Sequence, residues 1–178
     1  MIFVTADLHL NHCNIIKYCN RPFKTVEEMN KTLINNWNSK VTKEDVVFHL
    51  GDFCFGPYKE FERKLNGKIV YIKGNHDQNI KEAVYSSILN FDSHRILLIH
   101  NANHKFVQEF KDSVDVVFFG HIHNLCKTLR FLYPNKNGKS ERNLLGINVG
   151  IDCWDFKPVR IDEVMKFYYQ NRKIKKDI

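Results

Sequence analysis

Ile2-Phe3-Val4-Thr5-Ala6-Asp7-Leu8-His9 decides how the rest of the chain is read. Ile2–Ala6 is short, apolar and β-branched, the mark of a buried strand, and it stops at two polar side chains one residue apart. Outward along the chain the same phrase returns. Asp45–Leu50 runs into Gly51-Asp52, and Lys68–Ile72 into Gly74-Asn75-His76-Asp77. Arg95–His100 ends on a histidine, and Val114–Phe119 runs into Gly120-His121-Ile122-His123. In layered α/β proteins ligands gather beyond the carboxyl ends of strands, so these clusters are expected to meet in space.

Between the strands the period changes. Val26, Met29, Leu33 and Trp37 recur at helical spacing, with Glu27, Glu28, Asn30 and Lys31 on the other face. Thr25, with Glu28 three residues on, predicts a capping box. Tyr58–Leu65 reads as a short helix and Asp162–Gln170 as a closing one. Ser86–Phe91 and Arg95–His100 are expected to pair around Asp92-Ser93. Leu125–Tyr133 and Asn143–Val149 flank a second turn, Pro134-Asn135-Lys136-Asn137-Gly138. Periodicity alone therefore gives an α/β protein with a β-rich second half. With 178 residues and neither an internal repeat nor a linker, residues 1–178 are expected to form a single domain.

Composition narrows the function. Hydrophobic residues make up 43% of the chain, enough for a core. The net charge of +7, from 27 Lys and Arg against 20 Asp and Glu, favours an anionic partner: a phosphate ester, a nucleotide or a nucleic acid. The five cysteines are scattered without a C-x-x-C pair, which argues for a reducing, cytoplasmic setting; Cys13, near His9 and His12, reads as a bystander thiol. The apolar start is too short for a signal peptide, and no stretch would span a bilayer.

Asp, His and Asn donors are of borderline hardness, suited to Mn2+, Fe or Zn2+ rather than to a calcium cage. An Asp-x-His puts two donors at one strand end, a His-x-His offers two more, and the Asp52 carboxylate has lone pairs for two ions. A pair of ions clamps the attacking and leaving oxygens of a displacement at phosphorus and makes hydroxide available at neutral pH.

Taken in order, Asp7-Leu8-His9, Gly51-Asp52, Gly74-Asn75-His76-Asp77, His100 and Gly120-His121-Ile122-His123 resemble the calcineurin-like metallophosphoesterase superfamily, over about Ile2 to Gly150. Asn14–Phe23 and Asn148-Val149-Gly150-Ile151-Asp152 are similar to a narrower group of compact bacterial and phage predicted phosphoesterases. The resemblance implies two mixed β-sheets in a sandwich flanked by helices. It implies two metal ions, one held by Asp7, His9, Asp52 and His123, the other by Asp52, Asn75, His100 and His121. Two divalent ions are expected, Mn2+ first, with Fe and Zn2+ as the alternatives. His76 would then stabilise the transition-state charge and assist the leaving group. The expected reaction is hydrolysis of a phosphomonoester or phosphodiester, the diester being favoured because a lone His76 without a cap domain suggests a site open to two substituents. Taken singly, His9, His121 and His123 would be ordinary polar residues at strand ends; the ordered set is what reverses that reading.

Several residues carry weaker expectations. His12 and Arg21 are candidates for substrate contact, an Arg fork being suited to phosphate. Asp77 reads as a helix cap or a partner behind the ligands, and His49 as structural. His94 and His104 read as solvated turn residues, and Phe53, Phe55, Phe118 and Phe119 as core. Two other functions fit the same residues: a nuclease, favoured by the charge and the Arg172–Lys176 tail, and an inactive protein-interaction scaffold, disfavoured by the filled ligand positions.

Overall fold

Strands β1 (Ile2–Thr5), β2 (Val46–Leu50) and β3 (Lys68–Ile72) lie parallel, with β1 in the middle of its sheet because β9 (Val159–Arg160) pairs antiparallel on its other edge. The computed structural model describes residues 1–134 and 141–172. A second sheet has the order β4-β5-β6-β8-β7, from β4 (Ser86–Phe91), β5 (His94–Ile99), β6 (Val116–Phe119), β7 (Thr128–Pro134) and β8 (Glu141–Asn148). Its inner strands β5, β6 and β8 are parallel and its two outer pairs antiparallel. Both sheets are mixed, as expected.

Alternation along each strand explains the layers. Val4, Leu50 and Ile72 of the first sheet pack with Ile96, Leu98, Val116, Phe118 and Ile147 of the second, forming the core between the sheets. Phe3 and Val47 point the other way, under α1 (Cys13–Tyr18), α2 (Val26–Asn38) and α3 (Tyr58–Glu62). Leu97, Ile99, Val117 and Phe119 face outward on the second sheet, toward α4 (His104–Phe110). The last helix, α5 (Ile161–Asn171), closes the inner core with Val164 and Met165. Each inner strand is covered on both faces, which is why its sequence reads as a continuous apolar run.

Helix α2 buries the predicted Met29, Leu33 and Trp37. Thr25 caps it by accepting from the Glu28 amide at 3.2 Å, but Glu28 reaches back to the Lys24 amide (2.8 Å) rather than to that of Thr25, so the capping box is shifted by one residue. Some boundaries moved. Asp45 belongs to the turn before β2, its carboxylate accepting from the Thr42 amide and hydroxyl. Leu125 precedes β7 in an exposed loop, and α3 ends at Glu62. His94 and His104 open β5 and α4 rather than sitting on turns, and His94 packs edge-on against Tyr168 and Tyr169. Helix α1 was not predicted; its six residues are too few for a period to emerge. It ends in a Schellman-type stop, with Asn20 in the left-handed region and the Arg21 amide bonded to the Ile16 carbonyl. Pro134 ends β7, whereas residues 135–138 of the predicted turn and the basic tail beyond Arg172 lie outside the described residues. No described helix is long and apolar enough to cross a membrane.

What matters for function is the direction of the strands. Every parallel strand delivers its carboxyl end to one edge of the sandwich. After β8 the chain crosses from the second sheet to the first at Gly150, which bridges to Ala6 directly behind Asp7.

Candidate metal centre

Past the ends of β1 and β2 the two segments stay side by side: the Asp7 amide donates to the Gly51 carbonyl and the His9 amide to that of Asp52, both at 3.0 Å. The backbone there is bent to an unusual degree. Asp7, His9, Asp52, His121 and His123, five of the seven expected ligands, have φ between 50° and 73°. Left-handed backbone at a residue with a Cβ costs on the order of 1–2 kcal/mol and collects at functional sites. Gly51 (φ +90°) shares the bend, and a Cβ on it would run into the His100 ring. A Cβ on Gly74 would meet the Asp52 amide and carboxylate, and one on Gly120 or Gly150 would come within 2.7 Å of Asp7 Oδ2. Main chain is packed against the acids as closely as glycine permits.

The donors fall into two groups. Asp7, His9 and His123 have ligand atoms within 4.8 Å of one another, and so do Asp52, His100 and His121. Asp52 joins them: its Oδ2 lies 3.4 Å from His9 Nε2 in the first group and 3.4 Å from His100 Nε2 in its own. Asn75 is exposed on the loop after Gly74 and borders, with His100, a hollow of about 140 Å³. His76 stands at the rim with a half-exposed side chain, its Nε2 3.9 Å from Asp52 Oδ2.

The site's electrostatics fit a cation. His9 Nε2 is buried with no hydrogen-bond partner, an arrangement that costs about 1–3 kcal/mol unless something accepts its lone pair. Burial pushes the His9 imidazole down to about 2, so the ring is neutral, as ligation requires. Burial also pushes the Asp7 carboxyl up to about 6, the nearby histidines offsetting only part of that effect. Burial would raise Asp52 too, but contacts with His100, the His76 amide and His9 hold it well below the usual carboxylate range. Burial opposes charge on His100, yet Asp52 and Asp7 lift it to about 9. Without a metal, the acids are thus balanced in part by a proton on His100. All of these groups are oxygen or nitrogen donors, the set suited to divalent ions of the Mn, Fe or Zn kind.

Around the donors stands a frame. The Asp77 carboxylate accepts from the amides of Asp52 (2.7 Å), Gly74 (2.9 Å) and Phe53 (2.9 Å), pinning the β2 and β3 loops together. The His76 amide donates to Asp52 Oδ1 at 3.0 Å, which leaves Oδ2 facing the imidazoles. His100 Nδ1 lies 2.8 Å from the Leu50 carbonyl, so it carries the hydrogen and turns Nε2 inward. The amide of His121 donates to both oxygens of Asp7.

Arg21 corrects an expectation. Its guanidinium does not line the opening. It is buried, forked onto Asp152 (Nε to Oδ1 2.8 Å, Nη2 to Oδ2 2.9 Å), and it donates to the carbonyls of Asp7 (2.7 Å) and Leu8 (3.0 Å). Asp152 in turn holds His123 Nδ1 at 3.0 Å, turning the other ring nitrogen of His123 to the first group. Burial works against the charge on Asp152, but His123 and Arg21 keep its carboxyl below the ordinary range. Asn148 ties the same loop, its amide donating to the carbonyls of His123 and Cys126 while its oxygen accepts from Gly150. Neither Asp152 nor Asn148 was given a role from sequence; the signal present was the Asn148–Asp152 stretch itself.

His12 does face the opening, stacked on Phe55 with ring centroids 4.0 Å apart and its Nδ1 3.2 Å from that of His9. Phe55 was expected in the core; it is half-buried at the rim, while Phe53, Phe118 and Phe119 are fully buried. His49 lies inside β2, wholly buried and edge-on to Phe53.

A sandwich of two mixed sheets with Asp, His and Asn donors gathered at one edge defines a class of metal-site protein, and the comparisons place the chain within it. Residues 1–161 match the calcineurin-like phosphoesterase superfamily domain. The chain belongs to that superfamily. An uncharacterised protein of Methanocaldococcus jannaschii is 36% identical over 180 residues, covering 98% of this chain and 94% of the relative. The gene 66 protein of Mycobacterium phage L5 is 37% identical over 79 residues, 41% of this chain and 38% of that one. A crystal structure of a protein of unknown function from Aquifex aeolicus shares the fold, with TM-score 0.68 at 24% identity, covering 94% of this chain and 98% of that one.

Proposed function

We propose that the protein hydrolyses a phosphodiester with the help of two divalent metal ions, Mn2+ being the expected pair. The observation that carries this reading is Asp52 Oδ2, which stands 3.4 Å from a histidine nitrogen of each donor group. Asp7, His9, His123 and Asp52 would hold one ion, and Asp52, His100, His121 and Asn75 the other. When bound, such ions neutralise phosphoryl charge and lower the pKa of water.

The remaining work falls to the chain itself. Asp77, Asp152 and Arg21 keep the donors from relaxing, so the site is organised before substrate arrives. His76 is free at the rim to donate to a phosphoryl oxygen and to protonate the leaving oxygen. Preference for a diester is supported by the shape of the opening. Two clefts, of about 520 and 570 Å³, meet at His76 and Phe55, which line both. A diester has a substituent for each, whereas a monoester leaves one unfilled.

Hydrolysis of bis(4-nitrophenyl) phosphate and of 4-nitrophenyl phosphate tests this, with protein stripped of metal and then supplied with Mn2+. The expected outcome is metal-dependent turnover favouring the diester, abolished in Asp52→Asn and reduced roughly 10²–10⁴-fold in His76→Ala. Turnover that ignores metal, or that survives Asp52→Asn, would remove the two-ion reading. Strong selectivity for the monoester would reverse the substrate assignment.

A further inference from the structure

Tyr18 and Leu125 are among the most exposed large apolar side chains of the described residues, at 73% and 82%. A lone exposed tyrosine or leucine calls for no explanation. These two come from different segments, the end of α1 and the loop after β6, yet they line the same cleft, and that cleft opens on Asp52 and His123. Its wall continues inward through the ring of His12, to which Tyr18 is edge-on at 6.3 Å and on which Phe55 is stacked at 4.0 Å. The cleft on the other side of His76 combines the amides of Asn75, Gln78 and Asn79 with Phe55 and Pro57. Both arms share Phe55 and His76, but only the first adds the exposed apolar lips of Tyr18 and Leu125, and only the second adds three side-chain amides.

Resting on the phosphodiesterase reading, we propose that the Tyr18–Leu125 cleft is the subsite for a nucleobase, so that the substrate is a nucleotide-containing phosphodiester. Its base slides between Tyr18 and Leu125 against the His12–Phe55 pair, its phosphorus lies at Asp52, and its second, polar substituent lies in the amide-lined cleft. Every base has a π-face, so stacking of this kind binds purines and pyrimidines alike without reading their edges. A small polar ester would leave the apolar lips wet and gain nothing from them. The +7 net charge suits the phosphate, and the lips suit the ring.

The test is direct binding by calorimetry to Mn2+-loaded protein, comparing adenosine 5′-monophosphate with ribose 5-phosphate, which carries the same phosphate and sugar without the base. Adenosine 5′-monophosphate should bind about tenfold more tightly, the scale of one base–aromatic stack. Tyr18→Ala and Leu125→Ala should each pull that ratio toward one while leaving the ribose 5-phosphate affinity in place; both side chains are exposed, so neither change disturbs the core. Equal affinities in the wild type, or a ratio indifferent to both substitutions, would overturn the assignment. So would self-association of the protein that either substitution abolishes, which would give the lips to a second copy of the chain. Because binding is read rather than turnover, the outcomes separate. A preserved ratio without diester hydrolysis keeps the subsite and removes the catalytic reading, and hydrolysis with a ratio of one does the reverse.

Discussion

Consider replacing Asp152 with asparagine. The substitution keeps the shape of the side chain and removes one negative charge from a place where two groups depend on it through three hydrogen bonds: the Arg21 fork at 2.8 and 2.9 Å, and His123 Nδ1 at 3.0 Å. The Arg21 and Asp152 side chains are 0% and 2% exposed, so solvent screens little of the loss. Breaking a buried pair from one side costs about 3–5 kcal/mol, because the remaining charge stays buried. At about 2–4 °C per kcal/mol for a chain of this size, that is a fall in Tm of about 6–20 °C for metal-free protein, read by calorimetry. The sign of the pH dependence follows from the depressed carboxyl of Asp152. Its stabilisation is complete above the ordinary value of 3.8 and is lost as pH falls through the lower folded value. The gap between wild type and variant should therefore be widest near neutrality and close in acid. A second readout separates this from a merely structural effect: with His123 no longer held, metal affinity should drop roughly 10–100-fold, as it does when the hydrogen-bond partner of a ligating histidine is lost. A variant within about 2 °C of wild type, with metal affinity changed less than twofold, would refute the coupling of Arg21, Asp152 and His123.

Two more outcomes are expected. Metal affinity should rise with pH through about 6, where the raised Asp7 carboxyl ionises, and binding near neutrality should also release the proton held on His100; titration in two buffers of different ionisation heat measures this, and binding without proton release would contradict it. Gly51→Ala places a methyl group on the His100 ring at a backbone φ of +90°, so overpacking of about 1–3 kcal/mol adds to left-handed strain; denaturant unfolding should show the loss together with impaired metal binding, and a variant that binds metal normally would refute the close packing.

Much of the architecture could be read along the chain because both faces of each inner strand are covered and α2 is amphipathic. Burial on two faces writes a strand as an unbroken apolar run, and burial on one face writes a helix with a 3.6-residue period. Those signals located β1, β2, β3, the β4–β5 pair, α2 and α5 within a residue or two. The polar clusters at strand ends were legible for the same reason, since parallel strands must carry their carboxyl ends to one edge. Helix α1 left no such trace, being six residues long and held by its stop and its packing.

What the order of residues determined by itself was the kind of protein: alternating strands and helices, and an ordered series of Asp, His and Asn donors. What only the tertiary structure decided was which partner each polar group takes. Arg21, with a fork that would suit a phosphate, is spent on Asp152, 131 residues away; Phe55 is a rim residue although its neighbour Phe53 is core. The reason is physical. Periodicity records whether a position faces water or core, a property repeated along one element. A salt bridge, a stacked pair or a shared carboxylate depends on the meeting of two distant segments, and no local pattern encodes that meeting.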